Sequence, residues 1–340
     1  MSDNNQTTDQ ASDAVTPPKK KKSSRLLFGV LIVICAAMGV VTLRVNSQRG
    51  TVKWVQDLGG NVVYHIEQGD RNESLTLDEM KAKQGGFMLN VVGLDYVSAI
   101  KAVNLPEGDL VGIEPLSNLA ELELVRILPN KITSLEPLGQ SRTLERLEIS
   151  DNPITDLSPI ALNTRLRIFQ LNGTDVDNIN CFSDFKELVK IYLTETKVKD
   201  LSPLAGLTKI KTLKVTNAEL VDLKPLENLT NLKTLSLAGC KLADGNDFST
   251  GLVSIGELSI ESLDLSGTNL NDLSLLTKLS NLEILKLDNS TASDITPLAK
   301  LKTLKSLTTW DSNVSDESVA ALKAQLPSLI VITEEPRYSR

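Results

Sequence analysis

The sequence predicts an α/β fold: a right-handed solenoid with a parallel sheet on its concave side and short 3₁₀ or helical turns on its convex side. An L-x-x-L-x-L pattern recurs, mostly every 22 residues, and aromatic residues make up only 4% of the 340, so the core must be aliphatic. Repeats of such a period bury their apolar faces against one another. The units begin at Ile100, Leu122, Leu144, Leu166, Leu188, Ile210, Leu232, Ile260, Leu282 and Leu304, and a partial unit, LPSLIVI, follows.

Each half of the repeat has its own structural role. In L-x-x-L-x-L, alternate residues of a short strand point to one side, so the leucines enter the core. Parallel strands about 4.8 Å apart would give these units a sheet of roughly 45 Å. The second half, as in DLSPL, predicts a short 3₁₀ turn that begins with an N-cap Ser or Thr and a Pro at the first helical position. Examples are Ser158-Pro159, Ser202-Pro203 and Thr296-Pro297.

The eighth position of each unit is where the chain turns inward after the strand. A small polar side chain there can satisfy buried backbone groups, which otherwise destabilise the fold. Ala218 is the exception. The other residues at this position are Asn130, Asn152, Thr174, Thr196, Cys240, Thr268, Ser290 and Ser312.

The consensus L-x-x-L-x-L-x-x-N-x-I-x-D-L-x-P-L-x-x-L resembles the 22-residue leucine-rich repeat of bacterial internalins, and of a eukaryotic phosphatase regulator with the same repeat class. The resemblance covers residues 100–332. It implies a binding protein with a concave recognition surface. Unlike internalins, the chain has no C-terminal sorting motif or immunoglobulin-like domain after the repeats. It is more similar to single-pass bacterial membrane proteins that carry a solenoid outside, whereas the phosphatase regulator acts inside cells.

The N-terminal residues predict a tail and a membrane anchor. Residues 1–25 are polar, end in a basic cluster (Lys19 to Lys22 with Arg25) and are expected to be disordered. Leu26–Leu43 has 18 residues without a charge, about 27 Å as a helix. The basic cluster precedes it, so the tail is predicted to be cytoplasmic and the repeats extracytoplasmic. A cleavable signal peptide, or a lipoprotein signal at Cys35, remains an alternative.

Residues 44–99 do not repeat and predict a linker and an N-terminal capping subdomain. TVKWVQDLGG indicates a short helix stopped by Gly59-Gly60, and NVVYHI a strand with Val62, Tyr64 and Ile66 on one face. A second helix is expected over Leu75 to Lys83. His65, the single histidine, is expected to be structural. Residues 333–340 predict a polar tail.

Two irregularities interrupt the repeat. The interval from Leu232 to Ile260 is 28 residues, and the excess lies in ADGNDFSTGLVSIG. Its acidic Asp244 to Asp247 stretch does not match the EF-hand spacing, which predicts a surface loop rather than a calcium site. In the last unit, SDESVAALKAQL predicts an amphipathic helix with Val319, Leu322 and Leu326 inward, and LPSLIVI behind it is expected to close the core.

Charge and cysteine content exclude several functions. Residues 1–49 hold seven of the 36 basic and three of the 43 acidic residues, so the remainder carries a net charge of −11, which argues against a nucleic-acid partner. Cys35, Cys181 and Cys240 are too scattered for a disulfide framework or a zinc site. The sequence has no nucleophile, metal-binding or phosphate-binding motif. We therefore expect no catalysis, no cofactor and no metal.

The concave face is the predicted binding site, because its side chains do not pack in the core. The residue between the second and third consensus apolar positions points there, and Tyr192 and Trp310 are the aromatic candidates. A partner is expected to be a protein or a cell-envelope component; the alternative is a scaffolding envelope protein without a specific ligand, whose charges merely pair across strands. The candidate residues are Arg126, Glu148, Gln170, Tyr192, Lys214, Asp264, Lys286 and Trp310, with Ser236, Thr308, Leu124, Leu128, Ile168 and Ile284 beside them.

Overall fold

The L-x-x-L-x-L segments are strands of one sheet in the computed structural model, which describes residues 48–68, 71–76 and 99–334. The strands of the cap and of the first five repeats are β1 Asn61–Gln68, β2 Arg71–Thr76, β3 Ala99–Leu105, β4 Leu124–Ile127, β5 Arg146–Ser150, β6 Ile168–Asn172 and β7 Lys190–Thr194. The later strands are β8 Thr212–Thr216, β9 Glu219–Leu220, β10 Thr234–Ser236, β11 Lys241–Leu242, β12 Ser262–Asp264, β13 Ile284–Lys286, β14 Ser306–Thr308 and β15 Ile330–Ile332.

Thirteen of these strands form the main sheet, in the order β15-β14-β13-β12-β10-β8-β7-β6-β5-β4-β3-β1-β2, while β9 and β11 form a two-stranded sheet. From β3 to β15 neighbouring strands are parallel and pair at the same position of the repeat. Leu124 pairs with Arg146, and Arg146 with Ile168. Thr234 still pairs with Ser262 across the longer interval, so the insertion leaves the register unchanged. The predicted parallel sheet is confirmed.

The core lies between this sheet and a row of 3₁₀ helices. In β4, Val125 and Ile127 are buried and Arg126 is exposed, which is the period of two that the pattern predicts. Each 3₁₀ helix adds an apolar residue from the other side, such as Leu204. The helices are η1 Glu114–Asn118, η2 Glu136–Leu138, η3 Ser158–Ile160, η4 Asn180–Asp184, η5 Ser202–Leu204, η6 Lys224–Leu226, η7 Phe248–Ile255, η8 Ser274–Lys278 and η9 Thr296–Lys300.

The predicted N-cap role of Ser and Thr in these helices is wrong by one position. The helix η3 begins at Ser158 itself, and its N-cap residue is Leu157, which has no side-chain cap. Asp156, two residues earlier, accepts a hydrogen bond from the Ser158 N–H at 2.8 Å and another from its hydroxyl at 2.7 Å. Asp294 binds Thr296 in the same way. The aspartate of D-L-S-P therefore caps the helix, through an Asx-type turn.

The eighth position behaves as predicted. Asn152 is 1% exposed; its amide donates to the Leu128 and Ser150 carbonyls at 3.1 and 2.7 Å, and its Oδ1 accepts from the Ile132 N–H at 3.2 Å. The Thr268 hydroxyl donates to the Leu265 carbonyl at 2.7 Å. The residue before this position has a positive φ in Asp151, Gly173, Glu195, Asn217, Gly239, Gly267, Asn289 and Asp311. Most repeat strands are thus followed by one left-handed residue and then by one hydrogen-bonding side chain; Pro129 stands in place of the left-handed residue before Asn130, and Ala218 has no such side chain.

The N-terminal cap consists of a helix α1, residues 48–57, and the strands β1 and β2. Val52 and Val55 are buried against the first repeat. The helix ends before Gly59, at φ 78°, and a side chain at Gly60 would lie 2.5 Å from the Asn104 carbonyl, so both glycines are required there. The helix and first strand predicted for the cap are confirmed.

The second helix predicted for the cap, over Leu75 to Lys83, is wrong at its first residue. Leu75 lies in β2, where it pairs with Tyr64 of β1, because an antiparallel partner strand satisfies the backbone of this segment. The remaining residues of that predicted helix, from 77 to 83, lie outside the described residues.

The C-terminal helix α2, Asp316–Gln325, is confirmed. Ser315 is its N-cap, and its hydroxyl oxygen accepts from the Ser318 N–H at 3.2 Å. Val319, Leu322 and Leu326 are buried as predicted. The LPSLIVI segment behind α2 closes the core as expected, but with alternate residues only: Leu329 is buried and Val331 packs against the core. Ile330 and Ile332 are 63% and 38% exposed, since the period of two turns them to the open face of the sheet.

The insertion after β11 is only in part the predicted surface loop: residues 243–246 are exposed, and the rest forms the helix η7, which one carboxylate caps. Asp247 is the N-cap of η7 and accepts from the Ser249 N–H at 2.8 Å and from the Asn271 amide at 2.5 Å. Behind this cap, Phe248 and Leu252 enter the core. The extra residues are therefore packed against the next repeat.

Several predictions fall on residues outside the described part of the chain. The predicted tail 1–25, the anchor Leu26–Leu43 and Cys35 are among them, as are residues 335–340. Within the described residues, no helix has the length and apolar character needed to cross a bilayer. Cys181 and Cys240 are free thiols, as predicted.

The first testable prediction concerns Asn152. We expect Asn152→Ala to lower the free energy of unfolding by about 2–3 kcal/mol, because it leaves buried backbone groups without partners. Urea denaturation followed by circular dichroism measures this. Asn118→Ala is the control, since the Asn118 amide makes one exposed bond, to the Pro115 carbonyl. Equal losses in both variants would contradict the role given to the eighth position.

A second prediction concerns acid stability. Hydrogen bonds from the Ser158 hydroxyl and N–H lower the pKa of Asp156. A carboxyl whose pKa is lower in the folded state stabilises the protein above its ordinary pKa of about 3.9, and this stabilisation is lost as the pH falls through the lower folded value. Urea midpoints measured from pH 5 downward should therefore fall less steeply for Asp156→Ala than for the unmodified chain. Identical slopes would contradict the Asx cap.

Candidate binding face of the sheet

The open side of the parallel sheet, here called the concave face, carries one continuous central row of side chains. The pairing of the strands sets each residue of this row beside its counterpart in the next repeat. In order, the row is Asn104, Arg126, Glu148, Gln170, Tyr192, Lys214, Ser236, Asp264, Lys286, Thr308 and Ile332. The predicted site residues from Arg126 to Lys286 all belong to it. Trp310 lies two residues beyond Thr308, just past the end of β14.

Glu148 is held between two arginines. Its side chain is only 9% exposed, its Oε2 lies 3.3 Å from the Arg126 Nε, and its Oε1 is bound by Arg146. Charge-assisted bonds of this kind satisfy a carboxylate that has little contact with water. Glu148 therefore positions the two guanidinium groups and has little exposed surface left to contact a partner. This burial of Glu148 is not evident from the sequence.

Tyr192 and Lys214 form the centre of the face. The Lys214 ammonium lies 5.7 Å from the centroid of the Tyr192 ring, within the range of a cation–π contact. Tyr192 is half-buried and Lys214 exposed. Lys190, two residues before Tyr192 on β7, is also exposed. The centre of the face thus combines an aromatic ring with two cations.

The C-terminal part of the face is acidic. Lys286 lies 3.9 Å from Asp264. Asp288 accepts hydrogen bonds from the Thr308 hydroxyl at 2.7 Å and the Trp310 N–H at 3.1 Å. Burial raises the pKa of Asp288, and these two hydrogen bonds oppose that rise. The Lys286–Asp264 and Arg126–Glu148 ion pairs are the cross-strand pairs expected from the sequence.

A cleft of about 330 Å³ opens beside this acidic segment. Its lining includes Asp264, Asp288, Trp310 and the glycines Gly239 and Gly267. A side chain at Gly267 would lie 3.4 Å from the Gly239 backbone.

A larger cleft, of about 770 Å³, lies away from the concave face, among the loops that follow β6, β7 and β8. Both lysines that line it are already paired: the Lys199 ammonium lies 2.7 Å from Glu219, and Lys197 lies 2.6 Å from Asp175. Across the described residues, no cluster of three or more His, Cys, Asp or Glu side chains is arranged to hold a metal ion.

The central row and its apolar neighbours Leu124, Leu128, Ile168 and Ile284 were predicted from the sequence, but its charged neighbours were not. Arg146, Lys190 and Asp288 also project from the face. Each stands two residues before or after the central row, at the spacing that a strand requires for side chains on one side. Applying the period of two to all three exposed positions of the repeat would have found them.

Comparison with known proteins bears on the fold. A family model described as Leucine Rich repeat matches residues 140–158. An internalin (inlF) of Listeria monocytogenes is similar in structure, with a TM-score of 0.58, 24% identity, and coverage of 77% of this chain and 76% of that one. A leucine-rich-repeat protein of Leptospira interrogans matches with a TM-score of 0.53 and 20% identity, over 68% and 72% of the two chains. The fold is that of the leucine-rich-repeat solenoids.

The same fold occurs in the plant peptide hormone receptor RGFR1, whose structure is that of its complex with RGF2. It aligns with a TM-score of 0.51 and 19% identity, over 70% of this chain and 39% of the receptor chain. No protein of curated function matches this chain in sequence.

A third prediction tests the arginine clamp. Arg126→Met with Arg146→Met leaves the Glu148 carboxylate with little water and no cation, and we expect a loss of about 2 kcal/mol in the free energy of unfolding. Adding Glu148→Gln removes the unpaired charge and should restore most of the lost free energy of unfolding. Urea denaturation of the double and triple variants measures both. A triple variant no more stable than the double variant would contradict the clamp.

Proposed function

We propose that this chain is a membrane-anchored, extracytoplasmic leucine-rich-repeat protein that binds another protein, or an envelope component, through its concave face. The observation that carries the proposal is the continuous central row. Its charged, polar and aromatic side chains lie in register along a rigid parallel sheet whose core is built from other residues. Such a surface is extended and free to vary without loss of the fold.

The composition of the face supports binding. Tyr192 and Trp310 are amphipathic aromatics, a class enriched at binding hot spots. Gln170, on the strand next to Tyr192, and Thr308, two residues before Trp310, are half-buried polar groups. The plant peptide hormone receptor of the same fold, whose structure is that of its complex with RGF2, supports the proposal, because there the architecture occurs in a receptor bound to another molecule.

The location rests on the N-terminal sequence. The uncharged stretch Leu26–Leu43 is long enough for a membrane helix, and the basic cluster before it favours a cytoplasmic N-terminus. The repeats would then face the extracytoplasmic side. We propose binding rather than catalysis because the described part of the concave face presents charged, polar and aromatic groups suited to recognition.

The proposal is tested with single cysteines in the full-length chain in intact cells, labelled with a membrane-impermeant maleimide photo-crosslinker. Gln170→Cys places the probe on the concave face, and Ser183→Cys, on the exposed side of η4, is the matched control. Burial raises the pKa of both Cys181 and Cys240 to about 11, so these native thiols react slowly. We expect both introduced cysteines to be labelled and only Cys at 170 to yield a crosslinked partner.

The possible outcomes separate the two parts of the proposal. If neither introduced cysteine is labelled until the cells are lysed, the extracytoplasmic location is wrong. If both are labelled and partners crosslink equally from the two positions, the concave face is not the binding site.

A further inference from the structure

We infer that the ligand of the concave face, where it crosses β4 to β8, is an acidic polypeptide segment that also carries apolar side chains; this inference rests on the proposed binding function. The basic patch, defined as Arg126, Arg146, Lys190 and Lys214, is the surface concerned. These cations project from four of the five neighbouring strands.

The patch has a charge opposite to that of the chain as a whole. The full sequence carries a net charge of −7. On the open side of β4 to β8, by contrast, Glu148 is the carboxylate that faces these four cations, and it is already bound by Arg126 and Arg146. The patch therefore keeps an excess positive charge after its internal pairing.

These cations are available to a partner. The side chains of Arg126 and Arg146 are 54% and 46% exposed. Lys190 and Lys214 are exposed, and neither has a carboxylate within ion-pair distance among the described residues.

Lysines at the edges of the same repeats differ from those of the patch. Lys197 lies 2.6 Å from Asp175, and Lys209 lies 2.6 Å from Glu187. In these repeats carboxylates thus pair with the edge lysines but not with Lys190 and Lys214. An incoming anion would find these two lysines free of competing acidic side chains.

Apolar side chains between the cations favour a polypeptide over a polyanionic sugar or a nucleic acid. Leu124, Leu128 and Ile168 are half-buried on the same face, as is the ring of Tyr192. Sulfate and phosphate polymers offer no apolar groups to bury, whereas a peptide with alternating acidic and apolar residues matches both features.

The face also limits the length of the acidic segment. From β4 to β8 the sheet extends about 19 Å at 4.8 Å per strand, which an extended peptide covers in about six residues and a helix in about 13. Beyond β8 the charge changes sign at Asp264 and Asp288. The acidic residues of the ligand are therefore confined to the part that crosses β4 to β8.

The experiment selects ligands without assuming one. A displayed library of random 12-residue peptides is selected against the full-length chain in lipid nanodiscs, and the selected peptides are synthesised. We expect them to be rich in Asp and Glu together with Leu, Ile or Phe. Lys190→Glu with Lys214→Glu should weaken their binding at least tenfold. The control, Lys186→Glu with Lys224→Glu, changes two exposed lysines beside η4 and in η6 and should leave binding unchanged.

Two further probes make the outcomes decisive. Gln170→Trp blocks the concave face without changing its charge. Selected peptides that are not acidic but are lost in Gln170→Trp would overturn this inference and leave the proposed function intact. If the selected peptides bind with unchanged affinity to Gln170→Trp and to Lys190→Glu with Lys214→Glu, the result would count against the proposed function as well. Heparin binding that depends on Lys190 and Lys214, with no peptide selected, would show a polyanion surface and overturn the inference. Circular dichroism confirms that each variant is folded.

Discussion

The fold depends on satisfying backbone groups where each strand turns into the core. A turn at this point would leave carbonyl and N–H groups buried without partners, and such groups cost about 1–3 kcal/mol each. Asn130 and Asn152 supply side chains that donate to two carbonyls and accept from one N–H. Later repeats use a single hydroxyl, as in Ser290. Because the same solution recurs at the same position, successive turns have the same shape and their strands can pair in register.

This regularity separates the core of each repeat from its surface. The buried positions must keep their apolar character, and the left-handed residue at the strand end must tolerate a positive φ. The exposed positions of the strand carry no such constraint. Arg126, Glu148 and Gln170 are chemically unrelated, yet they occupy equivalent positions on one sheet. A solenoid can therefore vary its recognition surface while the scaffold stays the same.

Much of this arrangement could be predicted from the sequence, because a period of two within a period of 22 fixes which side chains share a face and which strands adjoin. The register of the central row follows from that arithmetic, and the inward residues of α2 follow from the helical period of about 3.6 residues. The cap of η3 did not, since D-L-S-P offers two residues able to cap, and only the backbone geometry shows that Asp156 does so.

Features that depend on side-chain direction also escaped prediction. The burial of Glu148 depends on Arg146 turning toward it from the same strand, and spacing alone does not determine that. The exposure of Ile330 and Ile332 was missed because an apolar run does not show which of its residues face the core. The start of the predicted second helix was wrong at Leu75, where pairing with β1 outweighed the local pattern.

The central claim is that the concave face is the surface that binds a partner. Hydroxyl-radical footprinting of the full-length chain, with and without the partner recovered by crosslinking at residue 170, tests this most directly. The account predicts that oxidation of Tyr192 and Trp310 falls when the partner is bound, while that of Leu162 and Val221, which are exposed away from this face, is unchanged. Protection of Leu162 and Val221 with unchanged oxidation of the two aromatics would contradict it.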